Sequence, residues 1–468
     1  MNAVNSPTAV GSPRWPAPSR GAVPGAAPVS AGPTTAGGWL AAQGRLPLAF
    51  MTVALAWLAA ATLLLAAHAP WLALPHAAPW VVALTHAWVL GVFVTVACGA
   101  VYQLAPVALG TTLWSERRAW AHLALHAAGV PAMVVGFWTW NLPALGAGGT
   151  LVGLGVILFA ENTWRTVARS GRRDAVAWSL ALAAGWLVLT VLVGLTLAAN
   201  RFRGFIAADP VSLLRAHAHL GLVGFFVTLL QGVTFRLVPM FTLGDVRDWR
   251  PVNAGLWLSQ LGLLGLAPAL ALAWPVATVV TALMILAGLA SSGWALIGAL
   301  QTRKKRAFDP GIQAFLRGLV GLLAAAVAGV VLAWPSSRDA SPGGFGPMVY
   351  ALVGVAGGLL PAIAGMMCKI VPFLTWMRAY GPKVGRMPTP AAASLTRPRL
   401  ERWAFGLQGI ALIPLLAGAW RLNEPALWIG AWLLAAGVAL LVSDMLGVLR
   451  HLVRPVAVAP APAKGGAR

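Results

Sequence analysis

Three histidines lie inside long apolar stretches of this chain, where their imidazole nitrogens could bind a metal. His217 and His219 stand near the start of "RAHAHLGLVGFFVTLLQGVTFRLVPMF", and His86 opens "HAWVLGVFVTVACGAVYQLAP". Ionisable side chains within apolar segments are energetically expensive and usually functional. Neutral imidazole is both the commonest metal ligand and an axial ligand of haem iron. These residues therefore predict a haem or metal site.

Further histidines allow weaker predictions. His122 and His126 are spaced i, i+4, which places both rings on one helix face as a metal half-site. The alternative is that each ring bonds to a neighbouring helix, and this interpretation is favoured. His68 and His76 follow the first apolar stretch. They are either additional copper ligands or solvated loop residues, and the second interpretation is again favoured.

Three arginines surround the start of the stretch that carries His217 and His219. Arg201 and Arg203 precede it, and Arg215 lies in its first turns. A guanidinium group pairs well with carboxylates, so these side chains could hold the propionates of a haem. Ordinary anchoring at the membrane interface is an equal alternative.

The surrounding chain predicts a membrane protein. Of its 468 residues, 59% are hydrophobic and only 9% are charged. Apolar runs long enough to cross a bilayer recur about twelve times, and helices are the structures that satisfy their backbone groups in lipid. We therefore expect an all-α bundle of about twelve transmembrane helices, with the lipid bilayer as its main partner. The two Pro-, Gly- and Ala-rich ends, 1–45 and 455–468, are predicted to be disordered tails.

The distribution of charge predicts the topology. Although the net charge is +22, the basic residues lie in short links such as "QTRKKRAFD", which excludes a nucleic-acid surface. About 28 of the 33 basic residues fall on one side of the predicted membrane, as the positive-inside rule requires of the cytoplasmic side. We expect a multi-pass protein of a bacterial inner membrane with both termini in the cytoplasm. The two cysteines, Cys98 and Cys368, lie in apolar runs and form no CxxC motif.

An internal repeat gives the predicted architecture. Three apolar runs end in "YQLAP", "FRLVP" and "CKIVP", with their prolines 133 residues apart. This period divides the chain into three units of four helices, at 46–175, 176–308 and 309–454, and predicts a pseudo-threefold bundle. His86 and His219 occupy equivalent positions and are the expected axial pair of a haem. His217 lies about 200° around the helix from His219 and remains the alternative ligand.

These features resemble subunit I of the haem-copper oxidases, including the cbb3 type, and the related NnrS membrane proteins. The likeness is carried by the twelve spans, the repeats of four, the outer-side histidines and "RAHAHLGLVGFF" followed by "LVPMF". It implies a haem, with His86 at the place of the family's low-spin haem ligand, and allows a copper ion. It also implies a cytochrome or quinol as electron donor.

The departures from the family concern the oxygen-reducing centre. The family pattern has histidines beside the seventh span and an HxH motif on the tenth. Here neither span carries a histidine, and the HxH motif lies on the sixth. We therefore expect a haem-binding protein with a role in electron transfer or nitric oxide response, and not a complete terminal oxidase. The alternative is a transporter or assembly protein that retains the fold without a cofactor.

Overall fold

The computed structural model describes residues 44–334 and 346–455, so the predicted tails lie almost wholly outside the described residues. Twelve helices in these ranges are long and apolar enough to cross a membrane, which confirms the predicted all-α architecture. In chain order they are α1 Arg45–Ala67, α2 Pro79–Leu109, α3 Glu116–Trp138, α4 Leu142–Ser170, α5 Ala175–Arg203, α6 Pro210–Thr242, α7 Arg250–Ala271, α8 Pro275–Gln301, α9 Pro310–Ala333, α10 Gly346–Ala379, α11 Pro398–Arg421 and α12 Glu424–Leu452.

Several of these helices begin at a polar capping residue in the preceding link. At five helix starts, an Asp or Asn side chain accepts a hydrogen bond from the backbone N–H three residues later. Such caps satisfy amide groups that the first turn of a helix leaves unpaired. The capping residues are Asn141, Asp174, Asp209, Asp309 and Asn423.

Helices α2, α6 and α10 are the longest and the most deeply buried of the twelve. Each contains one π-helical segment, at Ala87–Val94, Leu220–Val227 and Val353–Leu359. The three segments begin 133 residues apart, which is the period of the sequence repeat. A π segment shifts the backbone hydrogen bonds by one residue and is frequent at functional sites. The first two segments begin directly after His86 and His219.

The remaining helices pack around these three in a regular order. The hairpins α3/α4, α7/α8 and α11/α12 and the pair α9/α10 form the most extensive helix contacts. The first helix of each predicted unit packs against its long helix, as α1 does with α2, α5 with α6 and α9 with α10. Helix α4 contacts α5, α8 contacts α9, and α12 returns to α1. The two long helices that carry His86, His217 and His219 are therefore surrounded by the other helices of the bundle.

Close helix crossings depend on glycine. A Cβ atom added at Gly148 of α4 would lie 2.8 Å from the carbonyl oxygen of Gly129 and 2.9 Å from Cα of Met133, both on α3. We expect Gly148→Ala to force α3 and α4 apart and to reduce stability by about 1–3 kcal/mol. Gly146→Ala is the matched control, because nothing lies within 4 Å of its added Cβ. Thermal unfolding in detergent measures both, and equal midpoints would contradict the prediction.

Candidate functional site

His86 is held by its own helix in an orientation suited to ligation. Its Nδ1 lies 2.8 Å from the carbonyl oxygen of Val82, one turn earlier. A carbonyl oxygen can only accept a hydrogen bond, so Nδ1 carries the proton and donates it. In the neutral ring, Nε2 then keeps its lone pair, and within the described residues it makes no hydrogen bond. In metal-binding histidines, the nitrogen that does not bind the metal typically donates a hydrogen bond in this way.

His217 of α6 faces His86 across the gap between the two long helices. Their ring centres are 6.5 Å apart and their planes differ by 20°. The Nδ1 of His217 is buried and has no hydrogen-bond partner among the described residues, although the Thr190 carbonyl lies near the ring. Of the two alternatives that the sequence left open, the structure therefore brings His217, and not His219, next to His86.

This spacing fits two imidazoles that share one metal ion. With metal–nitrogen bonds of roughly 2 Å, two opposed imidazole ligands have ring centres about 6 Å apart. The 6.5 Å separation and the near-parallel planes of His86 and His217 are close to this arrangement. Along their described lengths, helices α2 and α6 have few close backbone contacts with each other. The residues present therefore fit the two axial ligands of a haem iron.

Ring contacts and glycine fix the positions of both imidazoles. His86 stacks on Phe137 of α3 at 4.9 Å. His217 lies against Gly194 of α5, where an added Cβ would come within 2.8 Å of the ring carbon Cε1. Further along α2 and α6, Phe93 and Phe226 meet edge to face at 6.2 Å. The two long helices thus meet through aromatic rings on that side of the histidines.

His219 has a different partner. Its Nδ1 donates to the carbonyl oxygen of Arg215 at 2.8 Å, and its Nε2 lies 3.1 Å from the hydroxyl of Tyr350 on α10. The two rings are stacked at 5.8 Å with planes 13° apart. In the neutral ring, Tyr350 donates this second bond. Both nitrogens of His219 are thus engaged, as the 200° separation from His217 allows.

The two pairs are related by the repeat. Position 86 plus one period is position 219, and position 217 plus one period is position 350. His86 therefore faces His217 in the same way that His219 faces Tyr350 in the next unit. Sequence reasoning missed Tyr350, although the 133-residue alignment places it opposite His219 once the first pair is known. Nothing in the sequence indicated the contacts of Phe137 and Gly194.

The three arginines predicted near the site lie at the end of α5 and in the first turns of α6. Arg201, Arg203 and Arg215 are exposed, and no carboxylate lies within ion-pair distance of them among the described residues. The guanidinium of Arg201 lies 5.8 Å from the ring centre of Trp140, a cation–π contact typical of interfacial anchoring. Burial, and then the charge of Arg215, lower the pKa of the loop residue His76.

The other histidines have separate surroundings. His68 stacks on Trp71 at 4.1 Å, so its ring lies against an aromatic side chain at the end of α1. His122 and His126 are completely buried on α3, and each bonds through one nitrogen to α2, as the favoured interpretation predicts. Among the residues that the structure describes, no group of three or more His, Cys, Asp or Glu side chains is placed to hold one metal ion.

Comparison with known proteins supports the fold. No family model matches the chain, and no curated protein matches it. Among solved structures, it is similar to a heme-copper terminal oxidase dimer determined by cryo-electron microscopy, with a TM-score of 0.63 and 12% sequence identity. The similarity covers 86% of this chain and 84% of that chain. The chain is thus a multi-pass membrane protein with a fold like that of haem-copper oxidase subunit I.

Proposed function

We propose that this protein binds one haem near the outer face of the membrane and transfers electrons through it. The observation that carries the proposal is the pair of facing imidazoles of His86 and His217, 6.5 Å apart. A bound haem would supply a one-electron carrier. The His86 bond to Val82 presents Nε2, and Gly194 leaves the space that the His217 ring occupies.

His86 and His217 would both hold the iron of a bound haem, and such a haem would supply electron transfer rather than binding of oxygen or nitric oxide. We therefore favour electron transfer, with a cytochrome or a quinol as the donor. The expected position of the two histidines near the outer surface supports access for such a donor.

The exposed arginines support a haem that is oriented with its propionates towards the surface. Arg201, Arg203 and Arg215 lie at the outer end of the crevice, so they could pair with haem propionates that point towards the surface. Such pairs would hold the macrocycle edge at the interface while His86 and His217 hold its centre.

Absorbance of the purified protein tests the proposal. We expect a Soret band, split α and β bands after reduction, and about one haem per chain by the pyridine haemochrome assay. The control is a His86→Ala/His217→Ala variant that is expressed and purified in parallel. Protein that folds, reaches the membrane and binds no haem after reconstitution would overturn the proposal. That result would favour a transporter or assembly protein that retains the fold.

We expect no terminal oxidase activity. Reduction of oxygen in this family uses a haem with a copper ion held by three histidines, and the departures in the seventh and tenth spans remove that ligand set. Oxygen consumption with reduced cytochrome or quinol should therefore stay at the level of empty membranes. Consumption that is present in the parent protein and lost in His217→Ala would contradict this expectation.

We also propose a bacterial inner membrane location with both termini in the cytoplasm. The basic link "QTRKKR" between α8 and α9 should then face inwards, and "SSRDASPGG", which lies outside the described residues, should face outwards. Alkaline phosphatase fusions at the two links should be inactive and active, respectively, and green fluorescent protein fusions should show the opposite pattern. Phosphatase activity at the first link would refute the orientation.

A further inference from the structure

Helix α9 carries a charged side chain on the face that it turns away from the bundle. Of the twelve spans, α9 has the smallest share of residues buried inside the structure. Arg317 is exposed on this helix, in line with the exposed residues Gln313 and Val320 at spacings of four and three. Asp309, which pairs with Lys369 at the start of the helix, lies about 12 Å earlier at ~1.5 Å per residue. Arg317 therefore lies within the span and faces the lipid.

The guanidinium of Arg317 has no negative partner in the described part of the chain. It forms neither an ion pair nor a hydrogen bond with the residues that the structure describes. Its central carbon lies 6.0 Å from the ring centre of Phe405 on α11. Charged groups within a membrane usually pair with one another or with backbone carbonyls. Arg317 thus presents a positive charge and N–H donors that no described side chain or carbonyl engages.

The neighbouring residues of α11 indicate the depth of this charge. Trp403 and Ile410 are 69% and 55% exposed, on either side of Phe405 along the helix. Tryptophan is enriched where the apolar core of a membrane meets the lipid headgroups. The guanidinium lies beside Phe405 and Gly409, within two turns of Trp403 towards the middle of the span. It is therefore close to the level at which the headgroups and acyl chains of lipids meet.

Glycine leaves space beside the guanidinium. A Cβ added at Gly409 would meet only Nη1 of Arg317, at 3.8 Å, and one added at Gly406 would meet nothing within 4 Å. Arg402, Gly406 and Gly409 follow one another at spacings of four and three, so they share one face of α11. Arg402 is exposed and, among the described residues, has no carboxylate within ion-pair distance. This face thus combines two positive charges with a strip that carries no side chain.

We propose that this face of α9 and α11 binds an anionic phospholipid. The lipid phosphate accepts hydrogen bonds from Arg317, whose planar guanidinium suits phosphate oxygens. An acyl chain lies over Gly406 and Gly409. Basic pockets between transmembrane helices bind anionic headgroups on the cytoplasmic side, which is the side that the basic links predict for this end of α9 and α11. Arg402 favours a lipid with a net negative charge, because it repels the choline of a zwitterionic lipid.

Native mass spectrometry of the delipidated full chain in detergent tests this proposal. The protein is titrated with dioleoyl phosphatidylglycerol, with dioleoyl phosphatidylcholine and with inorganic phosphate. We expect phosphatidylglycerol to bind about five- to tenfold more tightly than phosphatidylcholine, and inorganic phosphate to leave its binding unchanged. Arg317→Gln should remove this preference. Equal binding of the two lipids by the parent protein would overturn the proposal. Displacement of phosphatidylglycerol by inorganic phosphate would assign the site to free phosphate and would also overturn it.

Matched variants separate this site from general attraction to a basic surface. Gly409→Leu keeps both arginines but covers the strip, so it should reduce the preference as much as Arg317→Gln does. Gly293→Leu should not, although its added Cβ likewise has open space around it. Arg303→Gln is the control for charge, because Arg303 also lies over a phenylalanine, Phe308, at 5.1 Å, but in the link between α8 and α9. A preference that survives Arg317→Gln or Gly409→Leu, or that is lost equally in Arg303→Gln, would refute the site.

Discussion

Replacement of His86 or His217 by alanine is expected to remove the low-spin haem spectrum of this protein. If the iron lies between these two imidazoles, each substitution deletes one of its two axial ligands. Bound haem should fall from about one per chain to near zero, or the remainder should become high-spin and five-coordinate. Visible absorbance, electron spin resonance and the pyridine haemochrome assay measure these changes.

The matched controls for this prediction are two other histidines within the membrane-spanning helices. His219→Ala should leave the spectrum unchanged, because both nitrogens of His219 bond to Arg215 and Tyr350 and not to the crevice of His86. His126→Ala should also leave it unchanged. A haem signal that survives both His86→Ala and His217→Ala would refute the site. Loss of the signal in His219→Ala, with His217→Ala unaffected, would restore the pair expected from equivalent repeat positions.

Tyr350→His is expected to create a second bis-imidazole pair. In the structure, Tyr350 stands opposite His219 as His217 stands opposite His86, one period later. The substitution would release Nε2 of His219 from its bond to the phenol and place a second imidazole across from it. We expect reconstituted haem to rise from about one to about two per chain, with a low-spin spectrum for both.

The control for the expected rise in haem content is a variant at another position related by the 133-residue repeat. Leu352 is the residue equivalent to His86 and His219, and its expected opposite position, one period before His217, is Leu84. Leu352→His therefore adds one imidazole without a partner and should leave the haem content at about one per chain. A Tyr350→His protein that still binds a single haem would show that the crevice between α6 and α10 does not admit a second macrocycle.

Much of the architecture could be predicted from the sequence, because it depends on local composition. Apolar runs of bilayer length predicted the twelve helices, and the structure confirms them. The likeness to haem-copper oxidases was carried by the spans and by "RAHAHLGLVGFF", and the similarity to a solved oxidase confirms it for the fold. The boundaries of the three four-helix units and the pseudo-threefold arrangement remain predictions. The π segments could not be foreseen, since they reflect helix packing as much as residue type.

The candidate site was also predictable from the sequence only in part. The sequence by itself predicted that His86, His217 and His219 lie at similar depths, and helix geometry requires that the two residues of the HxH motif point about 200° apart on α6. It did not determine which of the two faces α2, because spacing along a helix fixes relative directions only. The rotation of the whole helix is set by packing against its neighbours. Only the tertiary structure therefore brought His217 to His86, directed His219 to Tyr350, and enclosed His122 with His126 behind the carbonyl of Leu90.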